Sequence, residues 1–225
     1  MYDFDIRLES TPSKSFRVAR IMADFDVKQD HCKEHLSGEI KTPEHWNIGV
    51  IVGPSGTGKS TIAKNIFPDI LFSDFQYSGD SVVDDMPEHC TMDEIEKMFY
   101  SVGFGSVPSW LKPYSVLSNG EKMRVDLANA LLRSDNVAFD EFTSVVDRNI
   151  AKTCCVAVEK AVKRADKRFI AISCHYDILE FLKPDWVFDT AKMQGFFGTS
   201  LDRKEDFPSG NAEEASGVYL GDIII

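Results

Sequence analysis

No stretch of this chain approaches 18 consecutive apolar residues, so no membrane-spanning helix is expected. The first residues, Met1-Tyr2-Asp3-Phe4-Asp5, are acidic and mixed rather than basic and then apolar. A secretory signal peptide is therefore not expected. Basic charge is scarce: 25 Lys and Arg stand against 36 Asp and Glu, a formal net charge of −11. That deficit argues against a nucleic-acid partner, because non-specific affinity comes from clustered Lys and Arg neutralising phosphates. Cysteines number only five, at 32, 90, 154, 155 and 174, an odd count with no framework spacing. Reduced thiols in a cytoplasmic protein are the plain expectation. Internal repeats and low-complexity blocks are missing. His31, Cys32 and His35, with His45 further on, can be read as part of a zinc site, but such sites want four well-spaced ligands. A solvated polar loop is the alternative.

What is present suits one α/β domain. The chain has 225 residues, 43% of them apolar, which is enough for a core. Residues 1–202 read as that domain. Residues 203–217 read as a polar linker, and Val218–Ile225 as an apolar, strand-like tail that packs on its own sheet or on a partner.

Ile48-Gly49-Val50-Ile51-Val52 is an apolar, β-branched run that predicts a buried strand. Immediately after it stands Gly53-Pro54-Ser55-Gly56-Thr57-Gly58-Lys59-Ser60-Thr61, which fits G-x-x-x-x-G-K-[ST]. A helix-compatible segment follows and is stopped by Pro68. Strand, glycine loop and helix together predict a phosphate-binding loop. Glycines let the backbone wrap an anion, and the wrapped amides point inward. The helix N-terminus adds a partial positive charge. Lys59 supplies a full charge to β- and γ-phosphates, and Ser60 faces the accompanying Mg²⁺.

Two strand-like runs precede the loop, Phe16–Ala23 and a weaker one around Gly38–Lys41. Short strands are expected at Ile70–Phe72 and Ser81–Val83. Thr91 and Glu94 form a capping box that opens a helix, with Met92, Ile95, Met98 and Phe99 as its core stripe. Ser118 and Glu121 repeat the capping-box spacing. The helix behind them places Met123, Leu127, Ala130 and Leu131 on one face. Strands follow at Asn136–Phe139, Phe169–Ser173 and Trp186–Phe188, with a helix over Arg148–Arg164 between the first two. Alternating strands and helices predict a mostly parallel sheet with ligands at the strands' carboxyl ends.

Three groups then meet at one edge: the glycine loop, Asp140-Glu141 and His175. Asp140 at a strand end beside a phosphate loop is a Mg²⁺ partner. Glu141 can orient and deprotonate water, and His175 can hydrogen-bond a γ-phosphate. Each has a bland alternative: acids at strand ends cap helices or pair with lysines, and a lone histidine is usually structural. On local grounds Ser118 is only a helix cap.

The order of these elements resembles the ATP-binding-cassette ATPases. Phosphate loop, Leu117-Ser118-Asn119-Gly120-Glu121, a strand ending in Asp140-Glu141 and a strand ending at His175 are similar to theirs in sequence and spacing. The resemblance runs from about residue 16 to 190. It implies a P-loop ATPase with a mostly parallel sheet, N-terminal antiparallel strands and a shortened helical subdomain, using ATP and Mg²⁺. It implies Asp140 as the Walker B acid, Glu141 as the catalytic base and His175 as the switch histidine. Ser118 to Glu121 would be the signature acting on ATP held by a second copy, in a head-to-tail homodimer. Asp147 would be the D-loop acid, and Phe25, following a first strand, the aromatic on adenine; a core phenylalanine is its alternative. Gln76 would be the Mg²⁺-side glutamine, with Asp84 or Asp85 as alternatives. Asn119 and Glu121 stand where the family more often has Gly and Gln. Lys59 to Ser118 spans only 59 residues, short for a transporter ATPase. The expected function is a stand-alone soluble ATPase working on an unidentified protein partner. A transporter's ATP-binding subunit is the alternative, and a chromosome-organising or DNA-repair head has no room for its coiled-coil arms.

Overall fold

The computed structural model describes residues 1–27, 32–72 and 75–197; His31 and the apolar tail from Val218 lie outside them. Two sheets are built. The larger is six-stranded and contains β3 (Ile48–Val52), β4 (Leu71–Phe72), β5 (Asn136–Phe139), β6 (Arg168–Ser173), β7 (Trp186–Asp189) and β8 (Gln194–Phe197), in the order β4-β5-β6-β3-β7-β8. All its pairings are parallel except β7 with β8. The smaller sheet is a hairpin of β1 (Tyr2–Ser10) and β2 (Cys32–Ile40), antiparallel from Tyr2↔Ile40 to Ser10↔Cys32.

The two-residue period of a strand sorts the core onto two faces. Ile48, Val50 and Val52 of β3, with Phe169 and Ala171 of β6, join the core under α3 (Met92–Ser101), α5 (Asn119–Arg133) and α6 (Arg148–Arg164). Ile51, Ile170, Ile172, Trp186 and Phe188 point the other way, toward the hairpin and α2 (Lys59–Ile66). Both ends of the hairpin's paired register are not equal: near Ile40 it is anchored, with Phe4 edge-on to Phe188 at 5.8 Å and Tyr2 edge-on to Phe67 at 5.0 Å. Both expected capping boxes form, Thr91 with Glu94 and Ser118 with Glu121. α3 buries Ile95 and Phe99 but leaves Met92 half exposed, so Met92 is not core.

Two expectations fail. Phe16–Ala23 is not a strand but most of α1 (Phe16–Asp24). Ser15 caps it by accepting from the Val18 amide, and Val18, Ile21, Met22 and Phe25 recur at helical spacing. The apolar content of that run is real, but its period is helical. Ser81–Val83 forms turns, because Ser81 Oγ is bonded to Asp84 and Asp85 Oδ1 accepts from the Ser78 and Gly79 amides. Side chains there compete with the ladder for backbone partners. Among the described residues no helix is long and apolar enough to cross a membrane.

Candidate nucleotide site

The site lies at the carboxyl ends of adjacent strands. β3 runs straight into the glycine loop, and α2 begins at Lys59, behind Gly58 in the left-handed region at φ +85°. A side chain at Gly58 is strained by that φ, and its Cβ would stand 2.5 Å from Leu36 Cδ1, the movable end of that side chain. Leu36 belongs to β2, so the hairpin closes directly over the start of α2. At Gly53 a Cβ would fall 2.2 Å from Thr190 Oγ1, beyond β7. The Pro54 carbonyl accepts from Thr57 Oγ1 at 2.8 Å and from Lys59 Nζ at 2.8 Å, which holds the loop in a tight arc. Ser55 and Gly56 form its exposed tip, and Thr61 is half-buried on α2.

Lys59 is almost wholly enclosed. Burial draws its pKa down from the usual lysine range, and the neighbouring Cys174, Glu141 and Asp140 oppose that shift. An enclosed ammonium acts on an anion through little intervening water, and the two carboxylates beside it offset part of that attraction.

β5 supplies the acids. Asp140 Oδ1 accepts from Ser60 Oγ at 3.0 Å and from the Glu141 amide at 3.0 Å. Glu141 is exposed and adopts φ +53°, a conformation uncommon outside glycine and asparagine. A serine hydroxyl beside a carboxylate is a hard-oxygen pair that fits Mg²⁺, an ion that keeps phosphate oxygens and water as its other ligands. Bound there, Mg²⁺ would neutralise and orient β- and γ-phosphates. His175 follows β6, half-buried, its amide donating to Ser173 Oγ at 3.1 Å. Lys59, Asp140-Glu141 and His175 thus come from three neighbouring strands, β3, β5 and β6.

The remaining sequence candidates are placed as follows. Ser118 caps α5 and is exposed, Gly120 is buried against Ile150 of α6, and Glu121 bonds Ser118 and Ser109. Asn119 lines a cavity of about 310 Å³ together with Asp140 and Glu141. Asp147 caps α6, accepting from the Asn149 and Ile150 amides. Gln76 is exposed, four residues beyond β4, the strand beside β5. Asp84 and Asp85 are bonded within their own loop. Phe25 is 73% exposed at the end of α1, so it follows a helix and is not a core phenylalanine. The zinc reading rests on His31, which lies outside the described residues; among those described no group of three metal-binding side chains exists. His35 pairs with Asp5 at 2.9 Å, while His45 lines a separate crevice with Trp46 and Arg168.

Sequence reasoning passed over three groups. Cys174 sits close enough to Lys59 to act on its charge; its place one residue before His175 was the available signal. Arg148 forms a bidentate pair with Asp177, joining α6 to the start of α7 (Ile178–Leu182). Asp126 of α5 accepts from both Tyr77 and Tyr114, and nothing in the sequence pairs residues so far apart.

No protein-family model and no curated protein matches the sequence. Solved structures match the fold. A bacterial Atm1-family ABC exporter with ATP bound superposes with a TM-score of 0.56 at 19% identity, over 75% of this chain and 36% of that one. This chain therefore spans about a third of that exporter's length. A bacterial ABC transporter cassette, dimeric and bound to ADP and Pi in a post-hydrolysis state, gives 0.57 at 12% identity over 84% and 94%. CbiO1 from Clostridium perfringens, part of the CbiONQ transporter complex, gives 0.55 at 20% over 72% and 79%. The chain has the fold of an ATP-binding-cassette ATPase module, with a mostly parallel core sheet and an N-terminal antiparallel hairpin.

Proposed function

We propose that this protein binds and hydrolyses Mg-ATP as a head-to-tail dimer. The observation that supports it most is the convergence of Lys59, Ser60, Asp140, Glu141 and His175 on one strand edge, with Ser60 and Asp140 already hydrogen-bonded. Lys59 and the loop amides bind the phosphates. Ser60 and Asp140 hold Mg²⁺. Glu141, exposed, takes the proton of the attacking water, and His175 bonds the γ-phosphate. Gln76 follows the strand beside β5 and lies on the Mg²⁺ side; Phe25 lies on the hairpin side, where adenine would stack. Ser118 to Glu121 close on ATP held by the second copy, with Asp147 at the junction. Hydrolysis opens the dimer, and that motion is the output.

The short span between Lys59 and Ser118 supports a module acting away from a membrane partner. The second reading, a transporter's ATP-binding subunit, is favoured by exposed Val107, Leu111 and Val116 in that same span, an apolar surface suited to a protein partner. The test is the solution mass of Glu141→Gln with and without Mg-ATP. An ATP-dependent shift from monomer to dimer is expected. A monomer that binds ATP would sink the sandwich and return Ser118 to a plain helix cap. Dimers under both conditions would mean that another surface joins the copies.

A further inference from the structure

Asp126 of α5 is a half-buried carboxylate that carries a phenol on each oxygen. Tyr77 Oη donates to Asp126 Oδ1 at 2.7 Å, and Tyr114 Oη donates to Asp126 Oδ2 at 2.8 Å. The two rings stack at 4.0 Å, 10° from parallel. Asn129 Nδ2 adds a bond to Tyr77 Oη at 3.3 Å, and Arg133 Nε holds Asn129 Oδ1 at 2.6 Å. Burial pushes the Asp126 carboxyl up from its ordinary range, and the phenols also titrate higher than usual for the same reason. Three separate segments meet here: the stretch after β4, the turn before α5, and α5 itself.

Residues 75–77 are tied at both ends. Phe75 stacks on Phe72 at 5.7 Å and lies 6.4 Å from Phe139, the residue before Asp140. Tyr77 is tied to α5 through Asp126. Asp126 is eight residues along from Ser118, about 12 Å of helix. A rod held there and at its capped start has little freedom to tilt against β5. One cavity is lined by Asp140 and Glu141 and by Tyr114, Asn119 and Asp126 together.

We infer that Asp126, through Tyr77 and Tyr114, is a positioning residue that sets the Ser118–Gly120 turn of α5 relative to Asp140 and Glu141. The inference rests on the ATPase reading above. ATP binding to one copy uses the glycine loop and does not need this strut. Turnover needs α5 in place and does.

The test uses the full chain with Tyr77→Phe, Tyr114→Phe, Asp126→Leu and Asp126→Asn. Nucleotide affinity is titrated with ADP, which the proposed cycle leaves on separate copies, and steady-state hydrolysis of ATP is measured on the same variants. Tyr77→Phe and Asp126→Leu are expected to leave ADP affinity within twofold and to lower kcat tenfold or more. Asp126→Asn can accept from one phenol and donate to the other, and is expected to recover at least a third of the wild-type rate. An unchanged kcat in both tyrosine variants would overturn the inference. So would affinity, rate and melting temperature falling together, the mark of a purely structural network. If Asp126→Leu does not fold, the single hydroxyl deletions still decide. A wild-type protein that binds ATP but neither hydrolyses it nor dimerises would remove the ATPase reading first, and this inference with it.

Discussion

Ser60 Oγ donates to Asp140 Oδ1 across 3.0 Å, joining the first turn of α2 to the end of β5. The two residues stand 80 positions apart, yet the fold sets their oxygens side by side, where they would supply two of the six ligands of the proposed Mg²⁺. Ser60→Ala removes one donor without disturbing the strand. It is expected to weaken Mg-ATP binding tenfold or more, in line with about 1.5 kcal/mol for a contact to a charged group. Binding of ATP in EDTA should change much less. Titration of both proteins with and without Mg²⁺ checks this, and equal losses under both conditions would show that Ser60 acts on phosphate alone.

Gly58 is constrained by backbone and by neighbour. Its φ of +85° costs an L-residue about 1–2 kcal/mol, and a Cβ would press on the end of the Leu36 side chain. Gly58→Ala is expected to weaken ATP binding at least tenfold. Leu36→Ala in the same chain relieves the contact but not the φ, so the double variant should recover only part of the loss. Full recovery would make the hairpin contact the whole constraint.

Gly49 in β3 faces the Trp186 ring, and an added Cβ would lie 2.1 Å from Cζ2. Gly49 sits at the centre of the sheet, paired to both β6 and β7, so the strand cannot shift to relieve it. Gly49→Ala is expected to cost about 3 kcal/mol, at the upper end for overpacking. Melting temperature should fall by about 6–12 °C. A change below 2 °C (roughly half a kcal/mol) would show that Trp186 repacks freely.

Glu121 binds Ser109 Oγ at 2.7 Å and the Ser118 amide and hydroxyl at 3.0 and 2.7 Å. Those bonds, that of Ser109 first, hold its carboxyl below the ordinary value of 4.5. A lowered folded pKa gives stability that is fully present above 4.5 and lost as pH falls through the folded value. Asp126 runs the other way: burial raises its carboxyl above 3.8, so its share is present below 3.8 and lost as pH rises through the folded value. Comparing wild type with Glu121→Gln leaves Asp126 common to both. The stability advantage of wild type is expected to hold constant above pH 4.5 and to shrink below it, in urea melts at stepped pH. A difference that stays flat to acid pH would mean the cap does not depend on charge.

Much of this molecule is legible locally. Gly53–Thr61, the capping pairs Thr91–Glu94 and Ser118–Glu121, and the bounds of α6 follow from spacing, because turns and caps are decided within a few residues. β1 was legible too, in the strict alternation of Tyr2, Phe4, Ile6 and Leu8, but it was passed over. Phe16–Ala23 misled because apolar content alone does not set the period; the Ser15 cap and the spacing of Val18, Met22 and Phe25 do.

The strand order belongs to tertiary structure. β4-β5-β6-β3 places Lys59 beside Asp140 and Cys174, and it places Gln76 past the strand next to the one that ends at Asp140 and Glu141. No short-range rule says which parallel strands become neighbours, because that is set by how two faces of side chains pack under helices and hairpin. The Asp126–Tyr77–Tyr114 cluster and the Gly49–Trp186 contact are of the same kind. The sequence by itself determined the phosphate loop, the caps and the acids at a strand end, since each is a local requirement of backbone geometry. Only the packed structure decided which of them share a site, because burial and contact are properties of the whole fold.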